Sequence, residues 1–302
     1  MKGETLSIGQ DMERAALLAL LTRSEKMRWA EYRDELATGR QPSEIVEAPE
    51  LERGGQVLAE WQSAVPAASF YTYLDDGYPQ QLRDVWDFPP FVFVQGDEAP
   101  MHRLSGDSGV SIVGSREASG AAMRDVESLV QLLANEDITI ISGLAGGIDQ
   151  AAHTAALRFG VRTVGIIGTG IDRYYPASSR DIQRRLAAGE GMVLSQFKPG
   201  SSPSKSSFPM RNAVMSAYGR ATIIVEAGES SGTRHQARSA VKHGRPLILS
   251  GSVVKHTTWG RDLSEDRSLD VMVAGSPEQA AQFAKEILRR SVSALKQEPA
   301  PF

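Results

Sequence analysis

The chain reads as an α/β protein, a doubly wound and mostly parallel Rossmann-like sheet preceded by a small helical domain. Three observations predict this. After Ser108, short β-branched runs alternate with alanine-rich helical stretches, the habit of a parallel sheet covered on both faces. Glycine loops recur where those runs enter helices. From Asp11 to about Val65, apolar residues follow helical rather than alternating spacing. At 302 residues, 41% apolar and 23% charged, the chain is long enough for about two domains and apolar enough for packed cores.

In chain order, Ala15, Leu17, Leu18, Leu20 and Leu21 recur at helical spacing, then Trp29, Tyr32 and Leu36, with Gly39 stopping the second helix. Residues 1–68 are therefore expected to form the helical domain. Next, Asp75-Asp76-Gly77 marks a turn, Pro79 and Pro89-Pro90 punctuate a connector, and Phe91 to Val94 reads as a short edge strand. The expected sheet strands are Val110 to Val113, Ile138 to Ile141, Thr163 to Ile167, Met192 to Ser195, Ala221 to Val225 and Pro246 to Leu249. Helices are expected over Ala118 to Ala134, Ile148 to Arg158, Ser179 to Ala188, Met210 to Tyr218 and Arg234 to His243. Residues 69–262 make up this Rossmann-like domain. Residues 263–302 are expected to add a strand at Val271 to Val273, a helix from Pro277 to Arg289 and a polar tail.

Formal charge is −4, from 33 basic and 37 acidic residues, so no global excess advertises a polyanion partner. Its distribution says more. Between Gly191 and Arg261, Lys198, Lys205, Arg211, Arg220, Arg234, Arg238, Lys242, Arg245, Lys255 and Arg261 face only Glu226 and Glu229. That balance of +8 spreads over loops and helices, which favours a polyanion surface over a solvated helix face. The absence of cysteine excludes disulfides, zinc ribbons, iron–sulfur clusters and thiol catalysis, and is compatible with the cytoplasm. The run Ala15 to Leu21 is too short, and too closely preceded by Asp11, Glu13 and Arg14, for a signal peptide or a membrane span.

In doubly wound sheets, ligands sit at the carboxyl ends of the strands, where loops enter helices and backbone N–H groups point outward. Four strand ends carry suitable residues. Gly114, Ser115 and Arg116 follow Val113; Ser142, Gly143, Gly146 and Gly147 follow Ile141; Gly168 and Thr169 follow Ile167; Glu226 follows Val225, with Ser231, Gly232 and Thr233 beyond. Any single loop can be an ordinary tight turn, whereas four converging on one rim describe an anion or nucleotide cleft. No G-x-x-x-x-G-K-[ST] occurs and no proper G-x-G-x-x-G follows the first strand, which argues against ATP hydrolysis and NAD-dependent redox chemistry. No cofactor or metal is expected.

Arg116 at a cleft mouth would be costly to bury without an anion, which favours phosphate contact over a structural salt bridge. The stretch Lys205 to Asn212 puts Lys205, Phe208 and Arg211 on a loop entering a helix. Cations there can grip phosphates while the ring stacks on a base, the combination used for single strands. Composition equally allows a core ring at Phe208, with Pro209 opening the helix at N1. Asp149 and His153 share a helix face, but no third ligand accompanies them. They read as a first-turn carboxylate and a packing residue rather than a metal or acid–base pair. His235, His243 and His256 also lack ligand spacing and read as surface or packing residues.

Taken together, the chain resembles the DNA-processing protein A (DprA, also called Smf) family. The resemblance rests on Tyr78-Pro79-Gln80-Gln81-Leu82, Pro89-Pro90, Gly114-Ser115-Arg116, Ser142-Gly143-Leu144-Ala145 with Gly147-Ile148-Asp149 and His153, Tyr175-Pro176, Phe208-Pro209 with Arg211-Asn212, and Val225-Glu226-Ala227 with Ser231-Gly232. It implies a sterile-alpha-motif-like helical domain before an extended Rossmann domain. It also implies single-stranded DNA as ligand, RecA recombinase as a partner in strand loading, and a homodimer, without catalysis. Carried over by motif, Arg116 and Lys205 hold phosphates, Phe208 stacks on a base and Arg211 supports the pocket. The chain departs from the family pattern at Ala213, at Thr233-Arg234-His235-Gln236 and at Thr257-Thr258-Trp259-Gly260. An alternative on the same fold is a nucleotide sensor or nucleotide N-glycoside hydrolase, for which Glu226 is the nearby carboxylate.

Overall fold

The computed structural model describes residues 8–23, 29–101 and 108–297, in two units. The first holds the chain up to Tyr78 together with Pro89–Phe93. Its apolar run lies on helix α1 (Ile8–Thr22), with Ala15 to Leu21 all buried. Helix α2 (Trp29–Leu36) follows, and Gly39 breaks the chain's direction at φ +92°. Helix α3 (Ala48–Ala64) opens with a reciprocal box between Glu47 and Glu50. It packs so closely on α1 that a Cβ at Gly54 would lie 1.9 Å from the Ala15 carbonyl oxygen, a contact that requires glycine. Strand β1 (Ser69–Thr72) was not expected. It lies beside β2 (Phe91–Gly96), and Trp61 of α3 meets Phe70, Phe91 and Phe93 at ring separations of 6.3, 5.2 and 6.0 Å. Arg14 closes this unit by donating from Nε to both Asp75 oxygens at 3.0 Å.

The second unit comprises Pro79–Phe88 and the chain from Val94 onward. Its strands are β3 (Gly109–Val113), β4 (Thr139–Ser142), β5 (Arg162–Ile167), β6 (Met192–Ser195), β7 (Ala221–Ile224), β8 (Leu247–Ser250) and β9 (Val271–Ala274). They line up as β6-β5-β4-β3-β7-β8-β9, and all the pairings among them are parallel. Strands covered on both faces bury every residue, as β3, β4, β6 and β7 do. Helix α4 (Gln80–Arg83) precedes the sheet. Helices α5 (Gly120–Leu133) and α6 (Ile148–Phe159) fill one face with Val126, Leu129, Val130, Ile148 and Ala152. Gly160, at φ +67°, ends α6.

The chain winds outward from β3 to β6, then crosses back past β3 to begin β7. The reversal between β3 and β7 is the switch point at which such sheets bind ligands. Helix α7 (Arg180–Arg185) runs into a wider turn over Leu186–Glu190, which Gly189 permits at φ +104°. Helices α8 (Ser207–Tyr218) and α9 (Thr233–Lys242) flank β7 in sequence, and α12 (Pro277–Gln297) packs on α5. No helix among the described residues is long and apolar enough to cross a membrane.

Several expectations are corrected. The strand at Phe91 pairs within the first unit with β1, a strand that the connector reading did not include. The contact division falls at Tyr78 and Phe93 rather than at residue 68, and residues 263–297 belong to the second unit. Helix α8 starts at Ser207 instead of Met210, because Ser204 and Ser207 exchange backbone-to-hydroxyl hydrogen bonds of 3.1 and 3.0 Å that fix its first turn. Two short helices, α10 (Gly251–His256) and α11 (Thr258–Glu265), were missed; Ser250 and Thr257 cap them through hydroxyls accepting from Val253 and Gly260. The last residues of the expected tail, 298–302, lie outside the described residues.

Candidate nucleic-acid cleft

At the switch point, β3 ends in Gly114, Ser115 and Arg116. The Ser115 N–H donates to the Glu226 carbonyl at 2.7 Å, and the Ser115 carbonyl accepts from Ile148 at 3.1 Å, so this turn is clamped between two neighbouring loops. A Cβ at Gly114 would meet Ile148 Cγ1 at 2.5 Å, and one at Gly147, which sits at φ +69°, would meet the Ser115 carbonyl at 2.2 Å. The clamp leaves Arg116 exposed, with its guanidinium carbon 5.2 Å from the Phe208 ring centroid.

Phe208 stands in the first turn of α8, half-buried, and Lys205 lies exposed just before that helix. One turn further, Arg211 is 4% exposed. Its Nη1 lies 3.5 Å from Asp149 Oδ2 and 3.7 Å from Met215 Sδ. The same Asp149 oxygen accepts from the Gly143 and Ala145 N–H groups at 3.2 and 3.4 Å. Burial pushes the Asp149 carboxyl up from its ordinary range and the Arg211 guanidinium down, and each group opposes the other's shift. A Cβ at Gly143 would fall 1.1 Å from Arg211 Nη1, so glycine there makes room for the arginine.

These groups border a cleft of about 550 Å³. Of the expected site residues, Gly114, Ser115, Arg116, Lys205, Phe208, Arg211, Ser231, Gly232 and Thr233 line it. Asp149, Asn212, His235 and Gln236, none of them expected as site residues, also line it. The i+4 spacing of Phe208 and Asn212 along α8 was the available signal for Asn212.

The other expected loop residues shape the site without lining it. Ser142 is buried and donates to the Ile112 carbonyl at 2.7 Å. Gly143 and Gly147 make room for Arg211 and the Ser115 turn, and Gly146 sits against the Arg116 carbonyl. Gly168 underlies the Phe208 ring, where a Cβ would come within 3.2 Å of Cδ1. Thr169 is buried, its carbonyl accepting from Ser195 at 2.6 Å. Glu226 is turned to Ser119, accepting from its N–H at 3.0 Å and its hydroxyl at 2.6 Å, and borders a separate cavity of about 420 Å³ with Asp125 and Ser276.

The surplus between Gly191 and Arg261 is also narrowed. Arg211, Arg220 and Arg245 find carboxylates outside that stretch, at Asp149 and Asp84. Lys198, Arg238, Lys242, Lys255 and Arg261 are exposed and do not line the cleft, so only Lys205 and Arg211 of the ten reach it. His153 is sealed, with Nδ1 2.8 Å from the Thr163 hydroxyl, and burial pushes it down to about 3. His243 bridges Asp87 and Ser216 at 2.7 Å each. Among the described residues, no group of three or more His, Cys, Asp or Glu could hold a metal ion.

A sequence profile described as DNA recombination-mediator protein A matches residues 69–266. The chain belongs to that family. DNA processing protein DprA of Streptococcus pneumoniae is 37% identical over 185 residues, which cover 61% of this chain and 64% of that protein. Protein Smf of Synechocystis is 35% identical over 193 residues, 64% of this chain and 48% of that protein. The matched stretch thus spans less than two thirds of either relative. The X-ray structure of pneumococcal DprA superposes with a TM-score of 0.68 at 26% identity, covering 90% of this chain and 95% of that one. A DNA processing protein A from Helicobacter pylori, whose structure is described in terms of its single-stranded DNA binding mode, shares the fold at a TM-score of 0.62 and 23% identity over 74% of this chain and 96% of that one. The DprA/Smf resemblance and the Rossmann-like fold read from the sequence are both borne out.

Proposed function

We propose that this chain binds single-stranded DNA without cleaving it, as a recombination mediator that protects processed strands and helps load the RecA recombinase. The observation that carries the reading is the grouping of Arg116, Lys205 and Phe208 on one cleft at the sheet's switch point. In this reading Arg116 and Lys205 take phosphates, Phe208 stacks on a base, and the Asp149–Arg211 pair holds α8 and the loop after β4 in register. Glu226, the carboxylate a hydrolase would draw on, is committed to Ser119 away from the cleft. That favours binding over glycosidic cleavage, and release of base from nucleoside monophosphates, abolished by Glu226→Gln, would reverse the preference. RecA as partner, a homodimer and a cytoplasmic location rest on family membership.

The test is a salt titration of fluorescence anisotropy with labelled single-stranded and duplex DNA. Single strands should bind tighter than duplex at every salt concentration, with log affinity falling linearly against log salt. Equal weak binding to both would reduce the proposal to unspecific electrostatics.

A further inference from the structure

Outside the cleft, the loop between β5 and α7 carries two tyrosines that the fold leaves in solvent. Tyr174 and Tyr175 are 41% and 42% exposed. Tyr175 meets Phe208 with ring centroids 5.8 Å apart and planes 39° apart. Tyr174 lies beneath the guanidinium groups of Arg180 and Arg184, 5.8 and 5.4 Å from its centroid. With Arg116 over Phe208 at 5.2 Å, one cation–ring–ring group ends at Tyr175, and Tyr174, the preceding residue in the chain, carries two more cations.

None of these three arginines has an ion pair with a carboxylate among the described residues. The neighbouring Asp172 is occupied by the Gly200 N–H at 2.8 Å and by Arg173 at 3.7 Å. Exposed rings alternating with unneutralised guanidinium groups offer what a single strand repeats, a π face for each base and a charge for its phosphate. We propose that the strand continues from the cleft over Tyr175 and Tyr174 to Arg180 and Arg184, a second stacking subsite. The inference rests on the single-stranded DNA reading of the cleft and extends it by a separate set of side chains.

Oligothymidylates of about 4 and about 16 nucleotides, lengths that bracket the usual site sizes, separate the two subsites. Wild-type protein should bind the longer strand tighter. The Tyr174→Ala/Tyr175→Ala variant should keep the short-strand affinity and weaken on the long strand by roughly tenfold or more. Tyr174→Phe/Tyr175→Phe should follow wild type, because stacking needs the rings and not the hydroxyls. Arg180→Ala/Arg184→Ala should lower the long-strand salt slope by about 0.7 per arginine. An unchanged thermal midpoint identifies a folded variant, as expected for exposed rings. An alanine variant indistinguishable from wild type at both lengths overturns the extension while leaving the cleft reading intact, and equal losses at both lengths overturn it by placing the rings in the cleft itself. Wild-type protein that binds neither length overturns the cleft reading and this one with it.

Discussion

At the rim of the cleft, Arg116 and Lys205 are exposed and Phe208 is half-buried, whereas at its floor Arg211 is sealed against Asp149. Both regions present arginine, but water decides what each can do. A rim guanidinium keeps its hydration and is free to exchange it for a phosphate, contributing little to folding. A floor guanidinium has lost its water, so the Asp149 carboxylate, itself held by two backbone N–H donors, must balance its charge. Removing a floor residue should therefore damage the fold first, and removing a rim residue should damage binding first.

The largest effect expected on that contrast is Asp149→Ala, which strands the buried Arg211 charge and should cost about 3–5 kcal/mol in urea-induced unfolding. A loss below about 1 kcal/mol would mean the pair is solvated and the floor is no different from the rim. One turn along α6 from Asp149, His153 is sealed beneath the cleft's lining and held neutral down to about 3 against an ordinary 6.5. Between those values the unfolded chain binds the extra proton, so this contribution is complete above pH 6.5 and shrinks as pH falls toward 3. His153→Gln should flatten that part of the acid-unfolding curve; a variant with the same acid dependence as wild type would remove His153 from the account.

Rim variants test the other half. Phe208→Ala should cost on the order of 1–3 kcal/mol of single-strand affinity if the ring stacks on a base, measured by anisotropy at constant salt. Smallest is Arg116→Ala, expected to lower the log–log salt slope by about 0.7 and to leave unfolding within about 0.5 kcal/mol of wild type. Should Arg116→Ala instead destabilise the fold by several kcal/mol, the rim would be behaving as a floor.

The elements legible in the sequence were those whose physics is local. Short, mostly apolar runs such as Val110 to Val113 and Met192 to Ser195 appear as strands within one residue of their expected ends, because a strand buried on both faces carries no charged positions to blur its limits. Polar or short segments were less readable. The strand Ser69–Thr72 alternates half-buried and buried residues over only four positions, and the helices after Ser250 and Thr257 are visible mainly as capping hydroxyls. For the site, the cations and the ring at Arg116, Lys205 and Phe208 could be named from residue type and strand-end position. Their neutralisation could not: Asp149 is 62 positions from Arg211, and Asp84 is still farther from Arg220 and Arg245.

Composition and spacing thus settled the class of sheet and the residue types at its ligand-facing end, since each follows from neighbours a few positions apart, and the family followed from the resemblance of its motifs. Which arginines remain open to solvent, which glycines yield space rather than contact a ligand, and where Glu226 points were decided only on folding. Burial and charge pairing depend on groups brought together across the sheet, and no count along the chain contains those distances.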